Sequence, residues 1–447
     1  MNQAWTEYLP AFIRNRVEGR QSLQKIIGNA AWLLFDKVLR MCVGLAVNIW
    51  VVRYLGPDRF GHLSYAIAFV ALFGAFATLG LDGIVIREVV RNPHQADEIL
   101  GSAFYLRLAG GATTFIVSVM AIFLLRHNAP LSWMLVAIIA AGTIFQAFDV
   151  IDFWFQSQVS SRYTVIAKNC AFLLIALVKI CLILEHASLV AFAWAALAEI
   201  LAGAVGLVLA YRKRGHRVSD WLPTLNRSRR LLADSWPLIL SGFSVAIYMK
   251  LDQVMLGEMA GNAAVGIYTS ATKLTEIWYM IPMIIVSSVF PAVVQSKDKD
   301  EGLYYRRITR LFSLMAAVSL PIALPMSLAS NWLVVRLYGI NYQAAGPVLA
   351  VHIWASLFVF YGVAQGPWDL TENLTRLAMV RIVIGAIVNI LLNLWLIPRY
   401  GALGAAIATV VSQALAAVIL NVLHEKTRPI FFCQLKSLLF VRYLRGL

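Results

Sequence analysis

Eight basic side chains lie inside long apolar runs of this sequence: Lys37, Arg40, Arg107, Lys168, Lys179, Lys250, Lys273 and Arg381. Six acidic ones accompany them, Asp36, Asp149, Asp152, Glu199, Asp252 and Glu276, with Asp82 near the end of another run. A charge in hydrocarbon costs several kcal/mol, so each is a candidate for work as well as for structure. Helical spacing sorts them. Asp36 and Arg40 stand one turn apart, as an intrahelical ion pair requires. Lys168 and Lys179 share a face roughly 16 Å apart along the axis, close to the two ends of their run, where lysines snorkel to the headgroups. Five polar stripes recur every third or fourth residue. They are Arg107, Gly111, Thr114 and Ser118; Gln146, Asp149, Asp152 and Gln156; Ser241, Ser244, Tyr248 and Asp252; Thr269, Lys273 and Glu276; and Arg381, Gly385, Asn389 and Asn393. One stripe alone is ordinary glue between helices. Five together predict a hydrated, polar cavity, and the eight bases against six acids inside the apolar runs make it net-basic. Such a cavity binds anions, and arginine matches phosphate oxygens well. Trp154, Trp278, Tyr279, Trp354, Tyr361 and Trp368 supply aromatic faces for sugars, or else the core and the interfacial belt.

The elements that position these groups follow from composition. Of 447 residues, 60 % are hydrophobic and 14 % charged, and the mean hydropathy is +0.74. A soluble enzyme, a disordered chain and a secreted disulfide scaffold are excluded as overall classes. The apolar runs predict an all-α polytopic membrane protein of about twelve helices, each of about 20 residues or more. They fall at about 28–53, 60–86, 99–125, 131–157, 163–184 and 188–211, then 232–256, 264–294, 306–330, 344–367, 376–397 and 401–423. Most of the 38 Lys and Arg lie in the N-terminus, the even-numbered loops and the tail. Only Arg53, Arg59, Arg126, Arg336 and Arg399 fall in odd-numbered loops. That bias places both termini in the cytoplasm and accounts for the net charge of +15 without nucleic acid.

The longest internal connection, 212–231, carries seven arginines and lysines. It divides an N-lobe (28–211, six helices) from a C-lobe (232–424, six helices). Residues 1–27 and the basic amphipathic tail 425–447 are expected to lie on the anionic inner leaflet. No cleavable signal peptide is expected. Tyr54-Leu55-Gly56 followed by Phe60-Gly61 through Tyr65-Ala66 is echoed by Met255-Leu256-Gly257 followed by Val265-Gly266-Ile267-Tyr268. Two halves that both start inside imply a pseudo-two-fold along the membrane normal, with a central cavity between six-helix lobes.

Catalytic signatures are missing: no phosphate loop, no HExxH and no GxSxG occurs. Cys42, Cys170, Cys181 and Cys433 are isolated, and no metal spacing is present. Short outer loops argue against a glycan polymerase or ligase.

Three stretches resemble the polysaccharide flippases of the multidrug/oligosaccharidyl-lipid/polysaccharide transporter superfamily. They are Arg53-Tyr54-Leu55-Gly56-Pro57 through Gly61; Lys250-Leu251-Asp252-Gln253 through Gly257 with Val265 through Glu276; and Asn389 through Asn393 with Ile397-Pro398-Arg399-Tyr400-Gly401 through Ala406. The resemblance runs the length of the chain. It implies two six-helix lobes around a V-shaped cavity of alternating access. It also implies transfer of undecaprenyl-pyrophosphate-linked oligosaccharide from the inner to the outer leaflet of the bacterial cytoplasmic membrane, as in O-antigen flippases. The alternatives are a cation-coupled multidrug exporter of the same fold and a lipid II flippase, although lipid II flippases typically have two further spans. On the flippase reading Arg40, Arg107, Lys250, Lys273 and Arg381 face the pyrophosphate. Asp36, Asp149, Asp252, Glu276 and Asn389 face sugars or couple an ion, H+ or Na+. No cofactor or metal is expected. The expected partners are the lipid-linked oligosaccharide, the bilayer and the glycan polymerase or ligase machinery.

Overall fold

The computed structural model describes residues 21–297 and 300–438. Most of the expected interfacial segment 1–27 and the end of the tail, 439–447, lie outside the described residues. Among those described there are helices and turns but no strand. Such a chain satisfies every backbone group within its own segment, as hydrocarbon demands.

In chain order the helices of the first half are α1 (Gln21–Leu72), α2 (Gly74–Thr78), α3 (Asp82–Arg91), α4 (Ala96–Leu125), α5 (Pro130–Phe145), α6 (Val150–Ser157), α7 (Arg162–Leu184) and α8 (Leu189–Lys213). The second half has α9 (Leu225–Met259), α10 (Asn262–Glu276), α11 (Met280–Lys297), α12 (Glu301–Leu328), α13 (Ser330–Tyr338), α14 (Ala345–His352), α15 (Ala355–Thr371), α16 (Thr375–Ala417) and α17 (Arg428–Ser437). Ten stretches among the described residues are long and apolar enough to cross a membrane. Two of them are pairs of helices joined at a kink. In α1 the break is Gly56, at φ 71°, and in α16 it is Gly401, at φ 54°. Both need a residue without a Cβ, and a proline stands beside each, Pro57 and Pro398.

The expected spans 99–125, 163–184 and 188–211 are matched within three residues by α4, α7 and α8. The expected single helix 60–86 is not continuous. It ends at Leu72, restarts as α2, and reverses hand at Leu79 (φ 51°) and Gly80 (φ 61°) before α3. The cause is the approach of α9: a Cβ on Gly80 would lie 2.5 Å from that of Leu238.

The chain folds into two compact units. The first takes residues up to Val51 and then Val70–Ala246; the second takes Val52–Phe69 and everything from Ile247. The basic connection 212–231 lies within the first unit, and α1 and α9 each contribute to both. In the first unit Leu81, Val85, Ile99, Phe153, Phe155 and Tyr211 build one apolar core. In the second, Val293, Tyr304, Phe312, Met315, Phe360 and Trp368 build another. Outward, Ile116, Leu124, Leu177, Leu328 and Leu391 are exposed. In water such a surface would aggregate, whereas against lipid it is the expected exterior.

Candidate functional sites within the two units

In the first unit the chain changes pitch between α5 and α6. A 3-10 turn over Gln146–Asp149 brings Asp149 and Asp152 to one lysine on α7. Lys168 Nζ lies 2.9 Å from Asp149 Oδ1 and 3.1 Å from Asp152 Oδ2. Lys179, three turns along the same face, meets Glu199 of α8 at 3.1 Å. The expectation that both lysines snorkel to headgroups is corrected: carboxylates on neighbouring helices hold them. Arg40 donates to Asp36 at 2.9 Å, and its guanidinium sits 5.1 Å from the centre of the Phe172 ring. A cavity of about 170 Å³ is lined by Arg40, Gln146, Asp149, Lys168 and Glu199 among others. Two bases, Arg40 and Lys168, meet two carboxylates, Asp149 and Glu199, in its lining, so the cavity is charge-balanced. Truncating Lys168 to alanine leaves Asp149 and Asp152 facing each other without a cation. A loss of about 1–3 kcal/mol is expected, the worth of charge-assisted hydrogen bonds. Thermal unfolding in detergent should show it, with Lys168→Arg near the parent.

Arg107 of α4 is buried, 3.4 Å from Asp82 and 5.2 Å from the centre of the Phe153 ring. The rest of its stripe is a packing seam. Thr114 Oγ1 donates to the Phe73 carbonyl at 3.2 Å, and Thr143 Oγ1 donates to that of Gly111 at 3.1 Å. A Cβ on Gly111 would lie 2.6 Å from the Thr143 carbonyl oxygen. Small residues bring helices this close, and hydroxyls then tie them.

The second unit repeats the pattern. Arg381 of α16 grips Asp369 of α15 through two hydrogen bonds of 2.9 and 2.7 Å, and a third, of 2.7 Å, reaches Asn421 Oδ1. Asn421 Nδ2 donates to Gln365 at 3.0 Å and to Gln434 of α17 at 3.2 Å. Four helical segments are thus pinned by one polar knot, all of it buried. Further along α16, Asn393 donates to Asn389 (3.0 Å) and Asn389 to Ser412 (3.3 Å). This stripe is also a seam. Asp252 of α9 is buried and accepts hydrogen bonds from Tyr268 of α10 and from Thr409 at 3.3 Å. Lys250 and Glu276 are half-buried, and Lys273 is exposed.

Of the residues singled out from sequence, Arg40, Arg107 and Arg381 are each committed to a carboxylate. Asp36 and Asp149 join first-unit ion pairs, whereas Asp252 and Asn389 sit in polar knots of the second. Asp369, Asn421 and Gln434 were missed. Lys168 and Glu199 were noted as buried charges but not as site residues.

The described residues form an all-helical, polytopic membrane architecture. Its fold is similar to that of an inward-facing multidrug resistance MATE family transporter of the MOP superfamily, with a TM-score of 0.72 at 15 % identity, over 89 % of this chain and 95 % of that one. The chain belongs to the polysaccharide biosynthesis protein family, which matches residues 26–297. Among curated relatives, a probable flippase, AglR of Haloferax volcanii, is 26 % identical over 86 % of this chain and 80 % of its own length. A putative O-antigen transporter of Shigella flexneri is 23 % identical over 91 % of this chain and 99 % of its own.

Proposed function

We propose that this protein flips undecaprenyl-pyrophosphate-linked oligosaccharide units from the inner to the outer leaflet of a bacterial cytoplasmic membrane by alternating access, with both termini cytoplasmic. The observation that carries the reading is the membership of the polysaccharide biosynthesis protein family over residues 26–297. The two relatives, a probable flippase and a putative O-antigen transporter, support it. The physical need is plain. A pyrophosphate carried unaided through about 30 Å of hydrocarbon faces a prohibitive desolvation cost, so polar protein groups must replace its water.

Arg107 and Arg381 are assigned to architecture, because each is buried against its own carboxylate. Phosphate contact is assigned to Arg40 in the first unit, whose side chain stays 32 % exposed beside Asp36, and to Lys250 and Lys273 in the second. Alanine at each of these three is expected to cut translocation by about tenfold, the loss of one charge-assisted contact, with expression unchanged. Unimpaired translocation in all three variants sinks the assignment. Ion coupling, to H+ or Na+, is assigned to Asp36, Asp149, Asp252 and Glu276.

The decisive experiment is leaflet-resolved analysis of lipid-linked oligosaccharides in cells with and without the protein. Its loss should trap complete units on the inner leaflet, and its return should clear them. Normal arrival at the outer leaflet, with redundant flippases deleted, overturns the reading. One observation favours a second reading, a cation-coupled exporter: the first-unit cavity is not net-basic, since Asp149 and Glu199 balance Arg40 and Lys168 in its lining. Gradient-driven efflux of cationic dyes would select it.

A further inference from the structure

The connection after α8 is a built structure. Gly215 turns the chain at φ 84°, and a 3-10 turn follows over Val218–Asp220. Aromatic contacts hold both ends. The His216 ring packs 4.5 Å from that of Trp154 and 5.1 Å from that of Tyr211. Buried Trp221 donates its indole N–H to Tyr211 Oη at 3.3 Å. Beyond it, the Leu222 amide donates to the Asp97 carbonyl at 3.4 Å, and the Thr224 amide to Ser102 Oγ at 3.1 Å. Beside this clamped loop lies an open cavity of about 570 Å³ lined by Arg212, Gly215, Arg217, Val218 and Ser219.

The charges around it are unbalanced. Arg212, Lys213, Arg214 and Arg217 stand against Asp220 in this stretch and Asp97 of the facing segment. Arg214 is spoken for, its guanidinium 4.3 Å from the centre of the Tyr163 ring. Arg212 and Arg217 are exposed, and among the described residues no carboxylate pairs with either. Arg212 closes the apolar span 189–213, the depth at which a lipid carries its phosphate. Two guanidinium groups and a hydroxyl lining one cavity suit phosphate oxygens in charge and in donor chemistry.

We infer that the cavity lined by Arg212, Arg217 and Ser219 is a binding site for the phosphate of a membrane-lipid headgroup. The two arginines clasp the phosphate oxygens. Ser219, whose hydroxyl donates to Asp220 at 3.2 Å, rotates to serve as third donor. The chemistry is shared by a phospholipid phosphodiester and by the pyrophosphate of a lipid-linked glycan, and the site requires only that the chain spans a membrane.

Native mass spectrometry of the purified full chain, titrated with phosphatidylglycerol, tests the inference. The Arg212→Ala/Arg217→Ala variant should bind at least about tenfold more weakly than the parent, since each charge-assisted contact is worth about a decade. Arg229→Ala/Arg230→Ala, which removes the same charge from the start of α9, should bind as the parent does. Arg217→Ala alone, expected to lie between, covers the case in which the double variant misfolds. Equal losses in both double variants, or none in the first, overturn the inference. So does competition by inorganic pyrophosphate at equal concentration, which would mark a site for free anions. Undecaprenyl pyrophosphate binding more tightly than phosphatidylglycerol assigns the site to a translocated headgroup, and equal binding assigns it to bilayer lipid; either outcome supports the inference.

Discussion

Gly61→Ala is expected to destabilise the folded protein by about 3 kcal/mol, the upper end of the usual cost of overpacking, and to abolish transport. Gly266→Ala should match it. The two glycines lie against each other where α1, beyond its kink, crosses α10. A Cβ on Gly61 would land on the Asn262 carbonyl group, 2.6 Å from its carbon, and one on Gly266 would land on that of Pro57, 2.9 Å from its carbon. Each clash is with backbone four residues before the other glycine, so no side chain can rotate to relieve it. Separating the helices would also break the His62–Asn262 hydrogen bond of 2.8 Å and the Tyr65–Glu258 one beside it. Gly83→Ala is the control. Its Cβ meets nothing within 4 Å, and it should stay within about 0.5 kcal/mol of the parent. Thermal unfolding in detergent separates the three. A Gly61→Ala protein as stable as the parent would mean that the crossing is wider than described.

Asp369→Ala carries the other large effect. It leaves the Arg381 guanidinium, about 10 % exposed as a side chain, without its carboxylate. Breaking a buried pair from one side costs about 3–5 kcal/mol. The double variant Asp369→Leu/Arg381→Met removes both charges and should recover most of that loss. A double-mutant cycle on unfolding free energies reads the coupling directly. Additive single effects would show that the pair is not coupled. Transport by the folded double variant then tests the assignment of Arg381 to architecture, because a phosphate ligand could not be replaced by methionine without loss.

These two sites show what the sequence made legible. Hydropathy located spans such as 99–125, 163–184 and 188–211 within a few residues, because lipid selects apolar length directly, but not the break within 60–86. Periodicity found Arg107, Asp252, Arg381 and Asn389 as inward-facing groups, and each is buried. It could not find their partners, since helical spacing relates residues of one helix and the partners stand on others. Asp369 lies just past the expected span 344–367, while Asn421 reaches Arg381, and Gln434 reaches Asn421, only after the chain turns back. Lys168 looked like a snorkelling lysine because the 3-10 turn that aims Asp149 and Asp152 at it has no periodic signature. One signal was present and misread. The stripes through Gly111 and Gly385 were taken to line a cavity. A glycine within a polar stripe marks helices in near-backbone contact, and both stripes proved to be seams.

The passage of one stretch of α1 into the second unit sets a problem in time. Residues 52–69 leave the ribosome long before Asn262, against which Gly61 must pack. At ordinary rates of about 5–20 residues per second, that interval is roughly 10–40 s. Throughout it the first helix of the crossing waits in the membrane with its small-residue face unmatched. The first unit, for its part, cannot close until α9 has been made as far as Ala246. Assembly is therefore staggered: the first unit can close once Ala246 is made, while residues 52–69, made among its earliest, stay unmatched until the second unit follows.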